Sequence, residues 1–267
     1  MKVPGVGLLV QGKPPCFGTP ARWGNWAEAM KVTATGMVGR LCQAGATAVL
    51  VLLAPIAQAE DSAVVAEAAP AVEDPLDRAA WHVSAGEHEA ALQLVLPLAE
   101  KGEAAAQHIL GTLYLRGLGV PRDVDTALEW LGRAAEQDFT QSQLLLANLL
   151  ALGDDVLRDS ELAAYWYRRA AELGVAEAQN SLGVALGAGD GVEKNEAEAV
   201  EWYLKAAEQG MVAAQANLGV SLLRGTGVER DPAQAVVWLL RAAEQGSGWA
   251  QYYLGNAYRA GDGEEQD

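Results

Sequence analysis

Past residue 42 the chain contains no cysteine, its two thiols being Cys16 and Cys42. A disulfide framework and a cysteine–zinc site are therefore excluded from most of the sequence. Histidine is almost as scarce. His82, His88 and His108 are the whole set, and no two of them stand at the i, i+4 spacing that holds zinc on a helix. No G-x-S-x-G or S-x-x-K motif supplies a nucleophile. The Gly-x-Gly segments at 117–119, 189–191, 225–227 and 261–263 never open a G-x-G-x-x-G after a strand. A turn that recurs along a chain is a structural device, so nucleotide binding is not expected. Calcium-loop spacing is missing as well, and the adjacent carboxylates Asp154-Asp155 and Glu264-Glu265 carry little information on so acidic a chain. No metal and no cofactor is expected, and catalysis is not the first reading.

Basic residues are also in short supply. The formal charge is −16, and residues 1–59 hold five bases (Lys2, Lys13, Arg22, Lys31, Arg40) against one acid, Glu28. The remaining residues carry 34 acids and 14 bases, about −20. Nucleic-acid phosphates and anionic lipid would be repelled by such a surface, so neither is an expected partner. Phenylalanine occurs twice, while alanine and glycine abound. Small residues suit helices that approach closely more than a bulky globular core.

The apolar run at 44–54, eleven residues long, is too short for the ~20 residues that span a bilayer as a helix. With Lys31 and Arg40 before it and Ala57-Gln58-Ala59 after it, it fits a Sec signal peptide at 30–59. Cleavage after Ala59 would leave Glu60 as the mature N-terminus of a periplasmic or secreted protein with no membrane span. Residues 1–29 contain Pro14-Pro15, Trp23 and Trp26 and make a poor leader, so translation is expected to begin at Met30 or Met37. Residues 60–75 are, apart from Ser62, Ala, Val, Glu, Asp and Pro without helical phase, the composition of a flexible acidic linker.

What the chain does have is a period. Gln107, Gln143, Gln179, Gln215 and Gln251 stand 36 residues apart, as do Leu110, Leu146, Leu182, Leu218 and Leu254. Trp130, Trp166, Trp202 and Trp238 keep the same step, and no insertion breaks it. Units are framed at 103–138, 139–174, 175–210 and 211–246, with a half unit at 247–267 and a degenerate helical cap at 76–102. In each unit a first helix shows an apolar face at i, i+3, i+4 spacing, and a glycine turn ends it. Asp123, Asp159, Asn195 and Asp231 then N-cap a second helix, and Glu198 is placed to complete a capping box with Asn195. Mid-helix glycine costs about 1 kcal/mol against alanine. Gly111, Gly183, Gly219 and Gly255 nevertheless share one inner column, with Ala147 as the fifth member. A neighbouring helix passing too close for a larger side chain explains that repetition, and the tryptophans fill the space between successive helix pairs. In the second unit Asp155 replaces a turn glycine, so its turn is expected to differ.

The pattern A-Q-x-x-L-G-x-x-Y, then G-x-G-V-x-x-D, then A-x-x-W-x-x-x-A-A-E-x-G resembles the Sel-one-like repeat family, a relative of the tetratricopeptide repeat. It is clearest at 178–210 and 214–246 and covers about 103–267. The resemblance implies an all-α, right-handed solenoid of α-hairpins whose members act mostly as adaptors or regulators, many in the bacterial cell envelope. One secreted branch staples each repeat with a disulfide and has been linked to β-lactam or cell-wall chemistry. The missing cysteines put that branch's properties in doubt here.

By the same resemblance, first helices line a concave groove. The stripe opposite the packed face varies from unit to unit. It includes His108, Asn148, Asn180 and, in the last unit, Trp249, Tyr252, Asn256 and Arg259. Tryptophan, tyrosine and arginine dominate interface energetics, and asparagines can bond to the main chain of an extended segment. These aromatics either bind a partner or cover the exposed end of the solenoid. The expected partner is an envelope protein, with a cell-wall-directed enzyme or glycan binder as the rival reading. The unfinished last unit also offers a surface for pairing with a second copy.

Overall fold

The computed structural model describes residues 74–261, so the signal-peptide and cleavage assignments around Ala57, Ala59 and Glu60 lie outside the described residues, as does most of the linker. Eleven helices and no strand make up the described part. In chain order they are α1 (Pro75–Ser84), α2 (His88–Glu100), α3 (Ala104–Arg116), α4 (Val124–Glu136), α5 (Thr140–Leu152) and α6 (Ser160–Glu172). They continue as α7 (Ala176–Ala188), α8 (Glu196–Glu208), α9 (Val212–Arg224), α10 (Pro232–Glu244) and α11 (Gly248–Ala260). Each packs chiefly on its sequence neighbours, which makes the molecule an all-α repeat solenoid. The first-helix pairs α1–α3 and α9–α11 also touch, whereas no two second helices approach as extensively. A stack whose first helices are closer together than its second helices curves with the first helices inside.

The chain folds this way because each boundary is written locally. Asp123, Asp159, Asn195 and Asp231 take extended backbone and accept the N–H three residues on, at 3.1, 3.0, 3.1 and 2.9 Å. Each of the four also donates its own backbone N–H to a carbonyl of the preceding helix, as Asn195 does to Leu186 O at 2.9 Å. That bond corrects the expected capping box. The Asn195 N–H is already satisfied, so the Glu198 carboxylate does not reach back to it. It instead accepts from Arg168 at 2.6 Å, from the Trp202 indole at 3.2 Å and from the Asn195 side-chain amide at 3.3 Å. Burial alone would raise the Glu198 carboxyl, but these three donors outweigh it and hold it below the usual range.

First helices end on left-handed glycines at 117, 153, 189, 225 and 261. In α3, α7 and α9 the next N–H closes a Schellman turn, as Leu118 does onto Leu113 O at 3.0 Å. The turn after α5 departs from this. Gly153 bonds to Leu149 O at 3.0 Å, while Asp155 stays out of the left-handed region and pairs with Arg122 instead. The inner glycines are explained by close approach. A Cβ on Gly111 or Gly219 would stand 2.7 Å from Leu131 or Leu239 Cγ, and one on Gly183 would stand 2.6 Å from the Tyr203 ring. Gly255 shares the column without the contact, with nothing within 4 Å of where its Cβ would lie.

The junctions between units rest on the glutamine column. Gln107, Gln143, Gln179, Gln215 and Gln251 each donate to the carbonyl eight residues earlier, near the end of the preceding second helix, at 3.0–3.3 Å. A second glutamine 30 residues on completes three of these amides. Gln137, Gln209 and Gln245 donate to the Oε1 of Gln107, Gln179 and Gln215 at 2.8, 2.8 and 2.9 Å. In the second unit that position is Leu173, and the buried Oε1 of Gln143 has no hydrogen-bond partner among the described residues. Asp138 partly compensates. It occupies the left-handed site held elsewhere by Gly102, Gly174, Gly210 and Gly246, and its carboxylate accepts from Gln143 Nε2 at 3.2 Å and from Arg169.

Leu173 is half exposed, so little apolar burial is lost by changing it. Restoring the missing donor with Leu173→Gln is expected to stabilise the chain by about 0.5–1.5 kcal/mol. In thermal unfolding this corresponds to a rise of roughly 2–4 °C, and an unchanged or lower midpoint would show that the orphaned oxygen costs nothing.

Candidate partner-binding face

Contacts between adjacent first helices define the inner face. His108 on α3 bonds through Nδ1 to Ser142 Oγ on α5 at 2.8 Å and tilts against Phe139 with ring centroids 5.2 Å apart. Asn217 on α9 donates to Asn180 Oδ1 on α7 at 2.9 Å. Arg224 on α9 donates to the Tyr253 hydroxyl on α11 at 2.7 Å and lies over its ring at 5.3 Å. Asn148 accepts from the Tyr167 hydroxyl at 2.7 Å.

Of the residues singled out in the sequence, His108, Asn148 and Asn180 are therefore part of the packing. Both asparagines give their carbonyl oxygen to a neighbour and keep a side-chain N–H₂ with no partner among the described residues. The last unit is different. Trp249 and Tyr252 are 56% and 61% exposed, and both set their rings edge-on to Tyr253, at 4.8 and 5.3 Å. Asn256 accepts from Arg259. Two of the predicted four, Trp249 and Tyr252, thus meet Tyr253, which sequence reasoning passed over together with Arg224, while Asn256 and Arg259 pair with each other on the same helix. Tyr253 shares its column with Ile109, Leu145, Ser181 and Asn217, none of them aromatic, so the period gave no signal for it.

A second signal was present in the sequence and hidden by the net charge. The five first helices α3, α5, α7, α9 and α11 contain one carboxylate, Glu177, beside Arg116, Arg224 and Arg259. The four second helices of the repeats contain ten carboxylates. Their cations are committed to the tryptophan column. Arg133, Arg169, Lys205 and Arg241 each lie over the tryptophan three residues before, 4.5, 5.6, 3.8 and 4.6 Å from its ring centroid. Arg168 pairs with Glu198. None of the three first-helix arginines has a carboxylate partner among the described residues. The inner face is thus amide, aromatic and weakly cationic on a strongly acidic chain.

Among the described residues no group of three or more His, Cys, Asp and Glu is placed to hold a metal ion, and no helix is long and apolar enough to cross a membrane. A cleft between Gly119 and residues 86–90 lies away from the aromatic group. It is the first of a series of junctions in which a turn glycine packs on the start of the previous second helix, as Gly191 does on Ser160 and Gly227 on Glu196.

Burial lowers the His108 imidazole from its ordinary value. Its unfolded value is about 6.5, so protonation favours the unfolded chain. The stability involved is present above about pH 6.5 and is lost as the pH falls below it. Denaturant midpoints measured at pH 8 and pH 5.5 are expected to drop more in the wild type than in His108→Gln. Equal drops would assign the pH dependence to other groups.

A family model described as the Sel1 repeat matches residues 104–139, 140–175, 176–211, 212–247 and 250–267, one residue later than the frame read from the sequence for the four full units. Among solved structures the chain is similar to a Sel1 repeat protein from Oxalobacter formigenes, at 34% identity and a TM-score of 0.67 over 73% of this chain and 79% of that one. It is also similar to a protective antigen present in uropathogenic Escherichia coli strains, at 40% identity and a TM-score of 0.62 over 65% of this chain. This chain spans 37% of that antigen's length. No curated protein matches it.

Proposed function

The chain belongs to the Sel1 repeat family, and from that premise we propose that it is a non-enzymatic adaptor or regulator of the bacterial cell envelope, binding a segment of a partner protein along its first-helix face. Sel1 repeat proteins generally mediate protein–protein interaction, and their solenoid is typically not an enzyme. The observation that carries the reading to this face is the exposed Trp249–Tyr252–Tyr253 group with Arg224, Asn256 and Arg259 beside it. Large apolar residues on the surface of a repeat need a reason, and aromatics with arginine are the usual anchors of protein interfaces. Val184, 48% exposed, and the free amide N–H₂ groups of Asn148 and Asn180 extend the face along the stack. The envelope part of the proposal rests on the signal-like segment at 30–59 alone.

Two experiments test it. The full chain, tagged at its C-terminus and produced in a bacterium, is expected to be recovered from the periplasmic fraction with Glu60 as its first residue. Recovery from the cytoplasm with an uncleaved N-terminus would remove the envelope assignment. A pull-down from envelope extract is expected to capture a protein that the Trp249→Ala, Tyr252→Ala double variant loses. Equal capture by both moves the site elsewhere on the solenoid, and retention of wall material in place of protein favours a glycan-binding role.

A further inference from the structure

We infer that the first-helix face selects an acidic segment, an extended stretch of protein whose carboxylates meet Arg224 and Arg259 while an apolar side chain rests on Trp249 and Tyr252. This rests on the first-helix face being the binding face. It adds the chemistry of what is bound.

Charge is unevenly distributed over the repeats. A random scatter of the repeats' acids would place several on the first helices, yet only Glu177 is there. The cations of the second helices are spent on tryptophan faces or on Glu198. Elsewhere in the repeats exposed cations meet carboxylates, Arg122 with Asp155, Arg158 with Asp190 at 2.5 Å and Lys194 with Glu196 at 2.7 Å, while among the described residues Arg78 and Lys101 in the cap do not. Arg116, Arg224 and Arg259 are exposed and have no carboxylate partner among the described residues. Two of them are nonetheless oriented. Tyr253 holds Arg224 by its hydroxyl and by its ring, and Asn256 holds Arg259. A guanidinium fixed by a neutral acceptor keeps its remaining N–H donors and its full charge, and it loses less entropy when a carboxylate arrives.

The anion is a short segment of protein. A polyanion such as nucleic acid would run along the whole acidic molecule and be repelled by it, and three arginines spread over five helices do not track a phosphate backbone. A few carboxylates on one segment meet the face locally, where screening over roughly 8 Å shields them from the acids of the outer face. The aromatic trio, with Arg224 on Tyr253 and Arg259 further along the same helix, supplies the apolar anchor that charge alone lacks.

A phage-displayed library of random 12-residue peptides, selected on the immobilised full chain, tests the inference. The enriched peptides are expected to be rich in Asp and Glu with an aromatic or branched aliphatic residue. A fluorescein-labelled copy of the best binder is then titrated by anisotropy. Arg224→Gln, Arg259→Gln should weaken it at least tenfold, as should Gln for Glu in the peptide, and combining the two should cost little more. Arg133→Gln, which alters a second-helix cation stacked on Trp130, should leave the affinity unchanged, and circular dichroism checks that each variant is folded. Neutral or basic peptides, or acidic ones indifferent to the arginines yet lost with Trp249→Ala, Tyr252→Ala, would overturn the charge selection and leave the face as the binding surface. Peptides indifferent to both sets of changes, or no enrichment at all, would overturn the face and this inference with it.

Discussion

Stacking one helical hairpin on the next buries the side-chain amides of Gln107, Gln143, Gln179 and Gln215, and a buried polar group without a partner costs about 1–3 kcal/mol. The N–H₂ of each is satisfied on a carbonyl that also accepts the backbone N–H three residues on. Along the whole column the glutamine amide reaches back eight residues to the preceding second helix, and in three junctions a second glutamine satisfies the oxygen that the first leaves exposed to the core. The period of 36 follows from this constraint as much as from hydrophobic packing. A junction can close only if the glutamine, the glycine that lets the chain turn and the carbonyl it must meet keep their spacing. The second unit shows what happens at a lapse. Leu173 withdraws one donor, Gln143 is left with an orphaned oxygen, and Asp138 accepts a left-handed backbone while bonding to the other end of the same amide.

Features governed by near neighbours along the chain are legible in the amino-acid sequence alone. The N-caps, the helix-ending glycines and the close approach at Gly111, Gly183 and Gly219 all depend on residues within one hairpin, where helical period fixes who meets whom. What escaped lay across units. The glutamines were visible as a column, but their acceptors belong to the preceding hairpin. Glu198 looked like half of a capping box because Asn195 is three residues away, while the residue that claims it most closely, Arg168, is 30 residues away. Arg224 and Tyr253 lie 29 apart, and His108 and Ser142 lie 34 apart. Such pairs are near one repeat length, so they become predictable only once the offset between facing columns is known.

The candidate face was legible by a different route and only in part. Choosing the stripe opposite the packed side located Trp249 and Tyr252, which meet Tyr253, and Asn256 and Arg259, which pair with each other. The same stripe included His108, Asn148 and Asn180, which hold neighbouring helices together. A helical wheel cannot separate these two cases. His108 and Asn180 meet the next first helix and Asn148 meets the second helix of its own unit, whereas Val184, Trp249 and Tyr252 stand open, so one stripe serves both packing and exposure.

The division of charge ties these observations together. Second helices form the outer side, where carboxylates are well solvated, and each tryptophan there carries its own cation three residues on, an i, i+3 pair that helical geometry brings into contact. Most of the acid of the repeat helices thus lies on the outer side. First helices meet each other across the inner side, and there a carboxylate would sit close to its counterparts in the units above and below. Repulsion between facing columns is reason enough to keep acids off that side, and it explains their absence without any partner. It does not explain three arginines, since like charges of the other sign would repel as well and neutral residues would serve the packing better. Their spacing fits a different requirement. Arg116 and Arg224 stand in one column with Leu152 and Ala188 between them, so no two cations in it come from adjacent units, while Arg259 lies one column over beside the aromatic group. Scarcity of acid on the inner side therefore belongs to the fold, and the acidic segment proposed above supplies a reason for the cations.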